Sequence, residues 1–473
     1  MALLGWDQEV TMPTGGARAR AGHRAALAEV IHEKLIDPEL GTLLTDLTPD
    51  TTLPPAARAN LRELKRERDR AIRLPAELVR DLAEASALAQ PEWARARDED
   101  DWDRFAPHLT RLVTLKRREA AALTDEGSPY DALLDSFEPG AKVAELVPVF
   151  DRLRTALTDL IGRFTVEAPA VLPGPFPVSG QATLSRQVLE AMGYDFAAGR
   201  IDISAHPFTE TMGLGDVRIT TIYHEADVLS GISSSMHEGG HALYEQGLPE
   251  EHRETPAGHS LSLGIHESQS RLWENHVGRS LPFCRWLLPS LKDQFPDLLT
   301  DLTVNELYQA SNVVRPSLIR TDADEVTYSL HIVLRMELEQ ALIEGDLEAA
   351  DVPAAWNSKV RQYLGIDVPN NRTGALQDIH WCSGAFGYFP SYTLGNLYGA
   401  MFWQTARQDL PDLDDQMAAG NLAPLLQWLR TNIHERGSIL TASDLCREVT
   451  GQDLTADHFI AYLETKFGAL QTL

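Results

Sequence analysis

The chain has 473 residues, 43 % of them hydrophobic, and a formal net charge of -27. That length and apolar content can bury one large core or two smaller lobes and give no compositional sign of disorder. The charge repels a phosphate backbone, which excludes nucleic acid as a partner, and it repels anionic small molecules too, so a site for a carboxylate needs a local positive field from particular arginines or a metal.

The opening MALLGWDQEV has neither a basic n-region nor a long apolar run, and no stretch of about eighteen apolar residues follows it. A protein neither exported by a signal peptide nor inserted in a membrane is expected. Cys284, Cys382 and Cys446 are widely spaced, odd in number and free of any CxxC pairing. This argues against a disulfide framework or a cysteine zinc cluster and for a cytoplasmic location.

Apolar residues recur at three-and-four spacing over 55–72, 76–90, 104–123, 143–166, 323–344 and 422–434, which predicts a mainly α protein with helices there. Leu53-Pro54-Pro55 marks one helix start, and Thr441 to Asp444 resembles a cap. Acidic residues interleave with the arginine-rich run 58–73, so it reads as a solvated helix face. The exception is 199–224, where Ile201, Ile203, Val217, Ile219, Thr220, Thr221, Ile222 and Tyr223 form β-branched runs around the glycine-bearing stretch 209–216. A small antiparallel sheet is expected, with an edge able to hold an extended peptide through main-chain hydrogen bonds.

Next along the chain, Ser233 to Ser235 offer helix caps, His237-Glu238-Gly239-Gly240-His241 follows, and Gly247 offers a stop. His237 and His241 fall one helical turn apart on one face, so both imidazoles can reach one ion. Glu238 sits about 100° around the axis, beside that face, where it can hold a water and take its proton. Two glycines inside a helix cost about 1 kcal/mol each relative to alanine, which calls for a close-packing reason. Two imidazoles and a carboxylate suit zinc, and also accept cobalt or manganese. A catalytic zinc wants a third ligand, and Glu267, 26 residues past His241, is the candidate, with His266 and Glu274 as alternatives. If not a ligand, Glu274 is expected to support one.

Six segments now stand in order: His206-Pro-Phe208, Asp216 to Thr220, HEGGH, His266 to Gln269, Ile319 to Tyr328, and Gly374 to Trp381. Together they resemble the thermostable Taq-type metallocarboxypeptidases over most of the chain. The resemblance implies a single catalytic domain, 1–473, built as a large helical bundle split by a deep substrate cleft. That fold is similar to angiotensin-converting enzyme and the thimet-type oligopeptidases. It also implies a Glu third ligand, release of single C-terminal residues with broad specificity that disfavours proline, and a homodimer. Relatives carry an additional helix before the Trp6-Asp7-Gln8 segment, so a truncated start is expected here.

Arg320, Asp324, Tyr328, His331 and Arg335 form a polar stripe on a helix expected to begin near 318. The resemblance points to Arg320 as the grip on the substrate's α-carboxylate, with an intrahelical pair to Asp324 as the alternative and Arg218 and Arg372 as competitors. It likewise assigns His380 and Tyr388 to stabilising the oxyanion, with Tyr392 as substitute. Asp378 and His206 read as structural or supporting groups. The rival readings are an oligopeptidase or dipeptidyl carboxypeptidase on the same scaffold, and a silent peptide-binding protein with a structural metal. Glu238 separates the last from an enzyme, since a structural site needs no base.

Overall fold

The computed structural model describes residues 1–165, 172–213 and 215–473. Expected helices appear as Pro55–Arg73, Ala76–Glu99, Trp102–Leu123, Val143–Phe164 and Ala423–Asn432. Val166, at the end of one expected helix, and Leu214 in the sheet region lie outside the described residues. Pro55 opens its helix at the first position, where its missing N–H costs nothing. Thr441 Oγ1 accepts from Asp444 N at 3.1 Å and caps Ala442–Thr450. The run 58–73 is not simply a solvated face: Arg62 donates to the carbonyls of Ser438, Ile439 and Leu440, and Arg70 pairs with buried Glu119.

Two boundaries differ from expectation. Helix Tyr328–Glu344 begins ten residues later than the expected start near 318, and Arg320 lies in a separate short turn, Arg320–Asp322. Asp324 is the cause: its Oδ1 accepts from Val326 N at 2.9 Å and Thr327 N at 3.0 Å, a local turn that competes with helix. The motif helix, Val228–Gln246, starts at Asp227 rather than at the serines, because Asp227 Oδ1 accepts from Leu229 N and Ser230 N. Ser234 and Ser235 instead bond Thr221 of the sheet.

That sheet is mixed, not antiparallel throughout. Its strands β1 (Ile201–Ile203), β2 (Thr209–Gly213) and β3 (Asp216–Thr221) lie in the order β1-β3-β2. β2 runs antiparallel to β3 with Thr209 opposite Ile219, whereas β1 runs parallel to β3 with Ile201 opposite Ile219. The link between β1 and β2 crosses the end of β3 and is pinned there: Ser204 Oγ donates to Thr220 Oγ1 at 2.7 Å, and Phe208 N donates to the same Thr220 oxygen at 3.0 Å. The β-branched pattern specified strands but not the side on which β1 docks.

Buried apolar side chains from Leu78 to Phe467 form one contiguous cluster. At its centre the short helix Leu263–Arg271 is sandwiched between the motif helix and helix Pro390–Asp409. Glycine makes both contacts possible. A Cβ on Gly240 would stand 2.6 Å from Gln269 O, and one on Gly395 would stand 2.4 Å from Glu267 Cγ. The close-packing reason expected for the motif glycines is thus a neighbouring backbone at Gly240 and the Leu189 and Met192 side chains at Gly239. No helix among the described residues is long and apolar enough to cross a membrane.

Candidate active site

The motif helix presents His237 and His241 toward Glu267 on the central helix. His237 Nε2 lies 3.7 Å and His241 Nε2 3.4 Å from Glu267 Oε2. Ligands 2.0–2.1 Å from a tetrahedral zinc stand about 3.3 Å apart, so the three donors are nearly at metal-binding separation. His237, His241 and Glu267 are the one such three-donor group among the described residues.

The hydrogen bonds behind these donors favour the same use. His237 Nδ1 is 3.0 Å from Glu274 Oε2, so that nitrogen donates to the carboxylate and Nε2 keeps its lone pair. For His241 the carboxylate is one residue further away: Nδ1 is 2.6 Å from His266 Nδ1, and His266 Nε2 is 2.9 Å from Glu245 Oε1. His266 donates to Glu245, accepts from His241, and again leaves Nε2 of the motif histidine bare. His266 and Glu274, the alternative ligands, therefore stand behind the histidines rather than among the three donors. Burial works against charge on Glu267, yet Arg271 and the two imidazoles outweigh it and hold the carboxyl well below its usual range. Arg271 Nε donates to Glu267 Oε1 at 2.7 Å, leaving Oε2 to face the histidines.

Glu238 is buried beside this group, and Thr209 Oγ1 on β2 lies 2.7 Å from its Oε2 and 2.9 Å from its main-chain oxygen. Burial pushes the Glu238 carboxyl upward, with the His237 imidazole opposing. The edge strand β2 thus lies against the carboxylate proposed as base.

Comparison with known proteins identifies the frame that holds this group. Residues 1–467 match the family model described as carboxypeptidase Taq (M32) metallopeptidase. The chain belongs to this family. It is 44 % identical over 99 % of its length to thermostable carboxypeptidase 1 of Thermus thermophilus, covering 95 % of that protein. Carboxypeptidase 1 of Bacillus subtilis is 34 % identical over 100 % of this chain and 95 % of its own. Among solved structures, the M32 carboxypeptidase from Deinococcus radiodurans superposes with a TM-score of 0.96 at 37 % identity, covering 100 % of this chain and 96 % of that one. The protein is accordingly a metallocarboxypeptidase, and a metal cofactor and peptide substrates follow from the family.

Around the donor group the enzyme gathers a second set of residues. Tyr328 links the two: Arg271 stacks 4.2 Å over its ring, and its hydroxyl accepts from Arg320 Nη1 at 3.3 Å. Arg320 also lies over the Tyr392 ring at 4.9 Å and donates from Nε to Asp378 Oδ1 at 3.0 Å. Its alternative partner Asp324 is absent from these bonds, being occupied by backbone N–H groups. His380 Nε2 is 3.2 Å from Tyr392 Oη, and the rings of Tyr388 and Tyr392 are 5.3 Å apart. Burial, reinforced by Arg320 and Arg335 against Asp378, lowers His380 to about 4, so it is neutral at pH 7. Burial and the Glu267 charge raise the Tyr388 hydroxyl.

Three candidates lie apart from this set. Arg218 is clamped by Asp216, Nε to Oδ1 and Nη2 to Oδ2 both at 2.8 Å, and stacks on Trp6. Arg372 is exposed, and its guanidinium donates to the carbonyls of Arg97 and Asp98 at the end of helix Ala76–Glu99. His206 is exposed too, with its carbonyl accepting from Ser204. Sequence reasoning missed Thr209, Glu245 and Arg271. Only Arg271 carried a readable signal, four residues past Glu267 on one helix face.

Proposed function

We propose that His237, His241 and Glu267 hold a zinc ion and that the enzyme removes single residues from the free C-terminus of peptides with broad specificity. When bound, the ion acts as a Lewis acid on the scissile carbonyl and lowers the pKa of the attacking water towards about 7. Glu238 takes the proton of that water at Oε2 and returns it to the leaving amine. Thr209 orients Glu238 by its hydrogen bond, and the β2 edge receives the substrate's extended main chain. His380, neutral at pH 7, and Tyr388 donate to the oxyanion as the water attacks, with Tyr392 aligning His380. Arg320 grips the α-carboxylate, which makes the free C-terminus the recognition element. Arg218 and Arg372, each already bound to protein oxygens, are secondary candidates for that grip.

The observation that carries this reading is the pair of bare Nε2 atoms facing an ionised Glu267, with Glu238 at their side. A cytoplasmic location is supported by three free cysteines, all buried. A single domain with two lobes about the cleft, and a homodimer, rest on the family resemblance. Cobalt or manganese in place of zinc would use the same donors.

The test combines metal analysis with digestion of a peptide and its C-terminally amidated twin, read by mass spectrometry. Zinc at one equivalent and stepwise loss of single residues from the free acid alone are expected. Equal cleavage of the amidated twin would remove the Arg320 grip, and release of dipeptides or longer pieces would favour the dipeptidyl carboxypeptidase or oligopeptidase alternative.

A further inference from the structure

Behind Arg320 stands a second arginine that the mechanism does not use. Arg335 is fully buried on helix Tyr328–Glu344, with its guanidinium 4.5 Å from the Trp356 ring and 5.6 Å from the Phe389 ring. Its Nε is 2.7 Å and its Nη2 2.6 Å from Asp378 Oδ2, while Nη1 donates to His331 O at 2.6 Å. Asp378 Oδ1 is the oxygen that receives Arg320 Nε. The aspartate is thus shared between two guanidiniums, one on each oxygen, and both arginines are buried.

The charge balance of this cluster is the informative feature. Two cations and one carboxylate leave one positive charge. The two imidazoles beside them do not change it, because burial keeps His331, lowered to about 3, and His380, lowered to about 4, neutral at pH 7. An uncompensated charge in a buried site is costly and is relieved by a ligand of opposite sign. If Asp378 faced Arg320 alone, the pair would cancel and the carboxylate of a substrate would meet no net field. Arg335 occupies the aspartate first.

Resting on the assignment of Arg320 to the substrate carboxylate, we propose that Arg335 is a positioning residue that determines specificity for a free C-terminus. It neutralises Asp378 and so leaves the charge of Arg320 available to the substrate. Asp378 then orients Arg320 through Nε without quenching it. Among the described residues Arg320 Nη2 has no hydrogen-bond partner, and Arg320 is 8 % exposed.

The experiment measures kcat and KM for N-benzoyl-glycyl-phenylalanine, together with inhibition by N-acetyl-phenylalanine and its amide, which differ only in the C-terminal group. In Arg335→Met, KM should rise about ten- to a hundredfold with kcat nearly unchanged, and the preference for acid over amide should collapse towards unity. Arg335→Met combined with Asp378→Asn removes one charge of each sign and should regain the acid preference, a recovery that a merely structural role would not produce. Arg335→Lys should retain it. Wild-type preference in Arg335→Met, or no recovery in the folded double variant, overturns the proposal. Should Arg335→Met fail to fold, by circular dichroism, the double variant and Arg335→Lys decide, and loss of acid preference in either overturns it. Arg320→Met separates the two levels. Unchanged preference there sinks the carboxylate grip itself, whereas loss there with retention in Arg335→Met sinks only the role of Arg335.

Discussion

Glu238 and Thr209 meet at 2.7 Å across two elements, and that contact assigns them different kinds of consequence. Glu238 is not one of the three donors, so Glu238→Ala should keep close to one equivalent of metal and lose at least about a hundredfold in kcat. Metal analysis beside peptide hydrolysis checks both halves, and hydrolysis at the wild-type rate would remove Glu238 as base. Glu274 makes the opposite prediction. It holds the His237 tautomer through a 3.0 Å hydrogen bond, so Glu274→Ala should weaken metal affinity about ten- to a hundredfold. Competition with a chelator measures this directly, and unaltered affinity would show that the His237 orientation does not depend on Glu274. The spacing of HEGGH made the grouping of His237, His241 and Glu238 legible in the sequence, and Glu274 was expected behind a ligand. The tautomer of His241 was not legible, because Glu245 and His266 meet only when separate segments pack.

At the scale of elements, the site depends on how closely three helices approach. Gly240 and Gly395 let the motif helix and helix Pro390–Asp409 close on opposite faces of the helix bearing Glu267. Gly240→Ala drives a Cβ into Gln269 O, which is backbone and cannot swing aside. A cost of about 1–3 kcal/mol is expected, visible as a lower urea midpoint and accompanied by weaker metal binding, since His241 and Glu267 ride on the two helices forced apart. A midpoint equal to wild type would mean that the helices tolerate separation. Sequence signals marked the helices well where apolar periodicity was undisturbed, as in Trp102–Leu123 and Val143–Phe164. They failed at 318–327, where the side chain of Asp324 competes with the helix for backbone N–H groups. They failed again at β1, whose parallel docking depends on Ser204 and Thr220 meeting sixteen residues apart.

For the whole molecule, burial of ionisable groups sets the response to pH. His331 and His434 are lowered to about 3 by burial, and His380 to about 4, so the folded state holds them neutral. In the unfolded chain they take a proton near pH 6.5. Between about pH 6.5 and 4 these three histidines therefore bind more protons in the unfolded state and by themselves make stability fall as the pH falls, while buried Glu138 and Glu339, raised to about 7, act in the opposite sense. Urea midpoints of the chelated protein should therefore fall relative to those of His434→Gln as the pH drops through that window. A difference between the two that does not change with pH would contradict neutral burial of His434. At the far end of the chain, Lys466 forms a buried ion pair with Glu325, and Tyr462 Oη donates to the same carboxylate at 3.0 Å. This ties helix Asp457–Leu470 to the turn that precedes Tyr328. Lys466→Met leaves Glu325 buried without its cation and should cost about 3–5 kcal/mol in thermal unfolding.

What the amino-acid order determined by itself was local: a helical chain, and a motif that sets two imidazoles one turn apart with a carboxylate beside them. Both follow from periodicity or from spacing along one helix, where neighbours in sequence are neighbours in space, whereas Glu267 rides on another helix and joins them only in the folded chain. The tertiary structure decided which groups stand behind the three donors, which arginines share one carboxylate, and which are bound elsewhere. Arg218, Arg320 and Arg372 are equivalent as letters. Asp216 beside the first, the Asp378–Arg335 pair beside the second and the carbonyls of Arg97 and Asp98 beside the third make them chemically different. The physical reason is that a guanidinium's availability depends on partners brought from distant segments by burial of the shared core.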